Sequence, residues 1–84
     1  MGMNFPYYEI KLASRKIEDH KFTPSCSIRQ HTGQAVNDLL PRWDMDRTLD
    51  TKEKANAVML LNAKQYLKRE EGLTDKDLEK VVVK

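Results

Sequence analysis

The sequence predicts an α+β domain: a three-stranded antiparallel sheet, one long helix packed across one of its faces, and a short C-terminal helix. Two observations lead to this prediction. Before residue 50, three stretches alternate apolar with polar side chains, which is the pattern of half-buried strands. After residue 50, apolar side chains recur at helical spacing between clear start and stop signals. We expect the strands to follow one another as a meander, in a single small domain over residues 1–84.

The first two strands are predicted at residues 7–15 and 21–31, joined as a hairpin by the segment KIEDH. One face of the first strand carries Tyr8, Ile10 and Leu12. One face of the second carries Phe22, Pro24, Cys26 and Ile28. Because Pro24 has no N–H to donate to a ladder, we expect the second strand to lie at an edge or to be bulged at this residue.

The third strand is predicted at residues 42–49. Its inner face carries Trp43, Met45 and Leu49. The preceding residues, 31–41, include Gly33 and end at Pro41, so they are predicted to form a loop. Alternation therefore places the Trp43 ring on the side of the sheet that faces the helix.

The long helix is predicted at residues 51–71. Either Asp50 or Thr51 can cap its N-terminus with a side-chain oxygen, and Gly72 suits the position just after its C-terminus. The apolar side chains span nearly half of the helix circumference. An arc of this width indicates a helix that lies across a sheet rather than in a coiled coil.

Leu61 lies outside this apolar arc, among lysines. A second helix, predicted at residues 75–82 from the cap signal at Thr74, would cover Leu61 if it folded back over the long helix. A single exposed leucine is also normal on a protein surface. The third interpretation is a partner-binding site on this side of the helix, which would include Ala57.

Composition restricts the classes of protein to which the chain can belong. The net charge of +2 is spread over both halves, with seven basic and six acidic side chains in residues 1–49 and eight and seven in residues 50–84. Charge alone therefore gives little support to nucleic-acid binding.

A domain of this size buries only about 60% of its unfolded surface, so we expect marginal stability without a partner. No apolar run reaches the roughly 20 residues that span a bilayer. The single Cys26 excludes an internal disulfide and favours a reducing cytoplasm.

No arrangement of residues in the sequence predicts catalysis. Asp44 and Asp46 resemble the start of a calcium loop, but the glycine and the final glutamate of that loop are missing. His20 and His31 are expected near the two ends of one strand, about 35 Å apart, each as a surface histidine in a turn and too far away to share a metal ion. Cys26 is expected to face inward and to behave as a small hydrophobic side chain. We therefore expect neither an enzyme nor a cofactor- or metal-binding protein.

The predicted function is that of a non-catalytic accessory or interaction domain, which binds another protein or itself. Its candidate partner contacts are Trp43, Ala57 and Leu61. The alternative is a nucleic-acid-binding module that uses the solvent face of the sheet, where basic and hydroxyl side chains can contact phosphates and base edges. Its candidate contacts are Lys11, Arg15, Lys21, Arg29 and Arg42.

Two segments carry a resemblance to known domains, KFTPSCSIRQ and RWDMDRTLDTKEKANAVMLLNAKQYL. They resemble the plant ethylene-response-factor DNA-binding domain and the arm-binding domain of tyrosine recombinases, and they are similar to small uncharacterised bacterial proteins of the same layout. The matching positions are Ile28, Arg29, Trp43, Leu49, Asp50, Thr51, Glu53 and Ala55. The glycine that these domains have between the tryptophan and the helix is replaced by DMDRT. The resemblance implies a three-stranded sheet with one helix, and it implies that Arg29 and Trp43 lie on a sheet face that enters the major groove of DNA.

Overall fold

The computed structural model describes residues 5–84, and within these residues the chain is α+β. The elements in chain order are β1 (Tyr7–Leu12), β2 (Arg15–Glu18), β3 (Lys21–Thr23), β4 (Ser25–His31), β5 (Val36–Asp44), α1 (Lys52–Glu70), α2 (Asp75–Leu78) and β6 (Val82–Val83).

The strands form two sheets. The main sheet has four strands in the order β5-β4-β1-β6, and the second sheet pairs β2 with β3. β1, β4 and β5 are antiparallel neighbours, as in the predicted meander, but β6 joins the edge of β1 in parallel. The three predicted strands are thus antiparallel as expected, but the predicted single three-stranded sheet is wrong, because the main sheet has a fourth, parallel strand and a second sheet is present.

The first predicted hairpin is divided between the two sheets. The predicted strands 7–15 and 21–31 are each interrupted, the second at Pro24. Pro24 cannot donate to a ladder, and beside it the Ser14 hydroxyl takes the place of a strand partner by accepting a hydrogen bond from Ser25 N at 3.4 Å. Beyond this break, β2 and β3 continue as a separate two-stranded ribbon.

β5 begins and ends earlier than the strand predicted at 42–49. Most of the predicted loop 31–41 belongs to it, and only residues 32–35 form the turn from β4. Two register shifts let the nine residues of β5 face the seven of β4, so its apolar side chains lose the period of two on which the prediction relied. Pro41 is accommodated because β5 is an edge strand.

α1 starts and ends within one residue of its predicted limits. Thr51 is its N-cap, with Oγ1 accepting a hydrogen bond from Lys54 N at 3.1 Å, while Asp50 forms an ion pair with Lys54. At the other end, Gly72 adopts a φ of 68°, and the chain turns there with a hydrogen bond from Leu73 N to an α1 carbonyl.

The core lies between α1 and the inner face of the main sheet. Its fully buried members are Ile10, Cys26, Ile28, Met59, Ala63 and Leu67. The three helical members are spaced four residues apart, so they form one stripe of α1 that packs on β1 and β4. Each large aliphatic side chain buried in this way contributes about 1.5–3 kcal/mol.

The C-terminal segment differs from the helix predicted at 75–82. α2 ends at Leu78, and residues 82–83 pair with β1 because consecutive valines favour extended backbone. The apolar side chains of this segment pack against the core, on the side of α1 away from Leu61. Leu61 remains 60% exposed, so the predicted cover over it is wrong.

We predict that Leu67→Ala lowers the free energy of unfolding by about 2–5 kcal/mol, because it opens a cavity in the core. Leu61→Ala, on the solvent side of the same helix, should change it by less than about 0.5 kcal/mol. Urea unfolding followed by circular dichroism measures both values. A cost above about 1 kcal/mol for Leu61→Ala would mean that this leucine is covered in the folded protein, contrary to the structure.

Candidate interaction surface

The face of the main sheet that points away from α1, called the outer face below, carries no helix among residues 5–84. Strand register assigns to it Tyr7, Glu9, Lys11, Ser25, Ser27, Arg29, His31, Val36, Asp38 and Asp44. Ion pairs with these residues add Arg15, Arg42 and Lys84. The side chains of one whole sheet face therefore form a surface that the helices leave open.

The outer face carries the whole net charge of the protein. Its basic residues are Lys11, Arg15, Arg29, Arg42 and Lys84, and its acidic residues are Glu9, Asp38 and Asp44. The rest of the chain has ten basic and ten acidic side chains, out of totals of 15 and 13. The charge of +2 is thus concentrated on one surface.

Asp44 holds two arginines of the outer face. Its Oδ2 atom lies 3.3 Å from Arg15 Nη2 and 3.0 Å from Arg42 Nε. A hydrogen bond from the Ser25 side chain holds the pKa of Asp44 below its ordinary value; burial opposes this shift and the two guanidinium groups add to it. Because all three charged groups remain partly exposed, each pair contributes at most about 1 kcal/mol, and its main effect is to orient the arginines.

Glu9 is buried on the outer face, with only 7% of its surface exposed. Its Oε1 atom lies 2.7 Å from His31 Nε2, and its Oε2 atom lies 3.5 Å from Lys84 Nζ. Burial raises the pKa of Glu9, but the hydrogen bond with His31 and the charge of Lys84 outweigh burial, so the pKa lies below its ordinary value. This carboxylate therefore connects β1 with β4 and with the residue that follows β6.

An aromatic cluster (Phe5, Tyr7 and His31) lies at the end of the outer face near the β4–β5 turn. Tyr7 and His31 stack with ring centroids 4.4 Å apart and planes 1° apart, and the Phe5 ring lies 5.6 Å from Tyr7 at 42°. Phe5 also packs against Gly33 in the turn. Together with Val36, the cluster borders a shallow groove of about 320 Å³. Since Phe5 and Val36 are more than half exposed, this end offers apolar surface to a partner.

A second groove, of about 450 Å³, lies at the β6 edge between β1 and the C-terminal segment. Its walls are Pro6, Tyr7, Tyr8, Leu73, Asp77, Lys80 and Val81. The Tyr8 hydroxyl is already engaged, because it accepts from Gln30 Nε2 and donates to Glu71 Oε1, both at 3.2 Å. Burial raises the pKa of Tyr8, which remains a neutral phenol. The groove therefore presents mainly apolar walls.

Four of the five predicted nucleic-acid contacts lie together on the outer face: Lys11, Arg15, Arg29 and Arg42. Every arginine among them is paired with an aspartate, as Arg29 Nε is with Asp38 Oδ1 at 3.0 Å. The fifth, Lys21, lies in β3 outside the main sheet and pairs with Glu18 at 3.2 Å. The predicted cations are thus brought together with two aspartates between them.

The three predicted partner contacts do not come together. Trp43 lies on the inner side of the sheet, where its ring packs 6.0 Å from the ring of Tyr66 in α1. Ala57 and Leu61 are exposed on the opposite side of that helix. The position of Trp43 agrees with strand alternation and differs from the groove-facing position that the resemblance to DNA-binding domains implies.

The residues considered for chemistry are also separated. Cys26 is buried in the core, where burial and the nearby charge of Asp44 raise the pKa of its thiol to about 11. His20 is exposed in the β2–β3 turn, whereas His31, also predicted in a turn, lies half-buried in β4.

Within residues 5–84, no group of three or more His, Cys, Asp or Glu side chains could hold a metal ion. In the same range, no helix is both long and apolar enough to cross a membrane.

Alternation leaves Tyr7 and Glu9 on the face of the first strand opposite Tyr8, Ile10 and Leu12, but it does not reveal their partners. The Tyr7–His31 stack depends on the β1–β4 register, and the hairpin has no Asn-Gly or Asp-Gly turn from which that register can be read. Lys84 was missed because the residues before it were assigned to a helix. The alternation of polar residues in both strands was the only available signal.

Known proteins give no guide to this surface. Comparison of the chain with protein-family models, with curated proteins and with solved structures finds no significant match in any of the three.

We predict that Glu9→Gln makes the protein less sensitive to acid. The folded pKa of Glu9 lies below its unfolded value of about 4.3, so its ionised form contributes stability above that pH and loses this contribution as the pH falls through the folded pKa. The free energy of unfolding of the wild type should fall more steeply below about pH 5 than that of the variant. At pH 7 the variant should be less stable by about 1–3 kcal/mol, because a neutral amide cannot form an ion pair with Lys84.

Urea unfolding at several pH values between about 3 and 7 measures this difference. Asp38→Asn is the matched control, because its carboxylate is half-exposed and pairs only on the surface. Parallel pH profiles for the wild type and Glu9→Gln would contradict the assignment of a buried, ionised Glu9.

Proposed function

We propose that this chain is a non-catalytic interaction module that binds another protein, or a second copy of itself, through the outer face. The observation that carries the proposal is that α1 covers one face of the main sheet and leaves the other open. The open face combines oriented charged groups with exposed apolar side chains at one end. Protein interfaces likewise combine aromatic and apolar side chains with neighbouring polar and charged groups.

The aromatic cluster supports a protein partner. The rings of Tyr7 and His31 turn their faces toward each other, and Phe5 lies beside Tyr7. Nucleobases bind by stacking on exposed ring faces. Tyr7 and His31 already stack on each other, and the exposed Phe5 and Val36 beside them add apolar surface, so the cluster is better suited to apolar protein side chains.

The open edges of the main sheet are poor sites for an added strand. β5 contains two register shifts and Pro41, and β6 has only two residues. Bulges, proline and short edge strands are the features that prevent edge-to-edge pairing. The proposal therefore concerns the outer face and not strand addition.

A second candidate function is nucleic-acid binding through the same face. It is favoured by the net charge of +2 and by the four predicted cations that gather there. It is opposed by Asp38 and Asp44, which lie among those cations and would repel phosphate groups.

We also propose a cytoplasmic location, because the one cysteine, Cys26, is unpaired and buried in the core. Extracellular domains of this size commonly depend on disulfides.

Site-specific photo-crosslinking tests the proposed surface. A photoreactive amino acid replaces Val36 on the outer face, Leu61 on α1 or Ile17 in the β2–β3 ribbon, which are all large apolar residues more than half exposed. After irradiation in cells of the source organism, we expect several-fold more adduct from Val36 than from Ile17. The adducts should keep their size after nuclease treatment.

Each contrary result has a definite meaning. Adducts from Leu61 alone would place the partner on the helix and contradict the outer-face proposal. Adducts from Val36 that nuclease removes would support the nucleic-acid alternative. Equal adducts from all three positions would mean that no surface is preferred, and they would also contradict the proposal.

A further inference from the structure

From the distribution of charge on the outer face, we infer that the partner presents an acidic segment whose carboxylates bind around Ser27, between Lys11 and Arg42. This inference depends on the proposed function and specifies the chemistry of the partner at the same face. The site lies in the half of the face away from the aromatic cluster.

The net charge of the outer face is confined to that half. Asp38 is matched by Arg29, and Glu9 is matched by Lys84 at 3.5 Å. In the other half, the single carboxylate of Asp44 is shared by two arginines. Lys11 has no acidic oxygen within 4.0 Å among the described residues, which include every acidic side chain of the sequence.

The site therefore contains three cations and one carboxylate. The cations are Lys11, Arg15 and Arg42, and the carboxylate is that of Asp44. This excess accounts for the whole charge of +2. Elsewhere on the outer face, each acidic side chain is matched by one basic side chain. Carboxylates from a partner would match the remaining cations in the same way.

Ser27 supplies a polar floor between the cations. It lies in the middle of β4, opposite Lys11 on β1 and opposite the β5 bulge that contains Arg42. Neighbouring strands are about 4.8 Å apart, so the two basic residues flank the serine at close range. The half-buried Ser27 hydroxyl can donate to a carboxylate oxygen while the cations on both sides stabilise its charge.

The aspartates favour separate carboxylates over a continuous phosphate chain. Asp44 lies beside the site and Asp38 lies further along β5. An acidic peptide can place its carboxylates between these groups and present neutral residues to them. A nucleic acid carries a charge at every nucleotide, so its next phosphates would lie over the aspartates.

Amide NMR titration of the full chain tests the inference. The probe is the end-blocked peptide Ser-Glu-Ser-Glu-Ser-Glu-Ser, and the comparison probes are its lysine counterpart and a short mixed-sequence DNA duplex. We expect the glutamate peptide to shift the amides of Lys11, Ser27 and Arg42. The shifts should weaken markedly between about 50 mM and about 200 mM salt.

Charge-neutralising variants make the test specific. Lys11→Gln and Arg42→Gln should each weaken binding of the glutamate peptide about twofold to fivefold, the effect of losing one exposed charge pair. Lys52→Gln, which removes the same charge from exposed α1 surface, should leave binding unchanged.

The outcomes separate the inference from the proposed function. Absence of shifts with the glutamate peptide, alongside protein adducts from Val36, would overturn the acidic-partner inference and leave the proposed function standing. Equal loss of binding in Lys52→Gln would also overturn the inference, because attraction would then be non-specific. Tighter binding of the duplex at the same amides would overturn both and favour the nucleic-acid alternative.

Discussion

The packing of a single α1 stripe on a single face of the main sheet is the constraint on which the rest of the structure depends. Met59, Ala63 and Leu67 follow one another along the helix and meet Ile10 and Ile28 of the sheet. The chain has no second long helix among its described residues, so the opposite face must meet water or a partner. That face consequently carries polar groups that satisfy one another: aspartates hold arginines, and Glu9 is shared by His31 and Lys84.

The parts of the fold that could be predicted are those encoded by local pattern. The limits of α1, the inward positions of Cys26 and Ile28 and the antiparallel pairing of β1 with β4 follow from caps, from helical spacing and from alternation. β5 could not be predicted in this way, because two bulges erase its alternation and because glycine and proline signals near a strand resemble those of a loop. β6 was missed because the cap signal at Thr74 predicted a helix over residues 75–82. Consecutive valines at its end favour a strand, and their pairing with β1 decided the outcome.

The outer face could be predicted only in part, for a related reason. Alternation assigned Lys11, Arg15 and Arg29 to the correct side, but it could not show which acidic residues would lie next to them. Asp38 was assigned to a loop, and the sharing of Asp44 by two arginines depends on the position of a bulge and of a ribbon that leaves the sheet. Strand register determines which acidic residue lies beside which basic residue. Register here depends on contacts between residues that are distant in sequence.

The most direct test of this account is the solvent accessibility of the two sheet faces in the free protein. A soluble paramagnetic gadolinium chelate broadens the NMR signals of hydrogens near the surface, so it can be applied to assigned side-chain signals in dilute solution. We predict strong broadening at Lys11, Ser27 and Val36 and little at Ile28, Met59 and Leu67. Equal protection of both faces, unchanged on dilution, would mean that another part of the chain covers the outer face and would contradict the account. Strong broadening at Met59 or Leu67 would mean that α1 does not form the core described above.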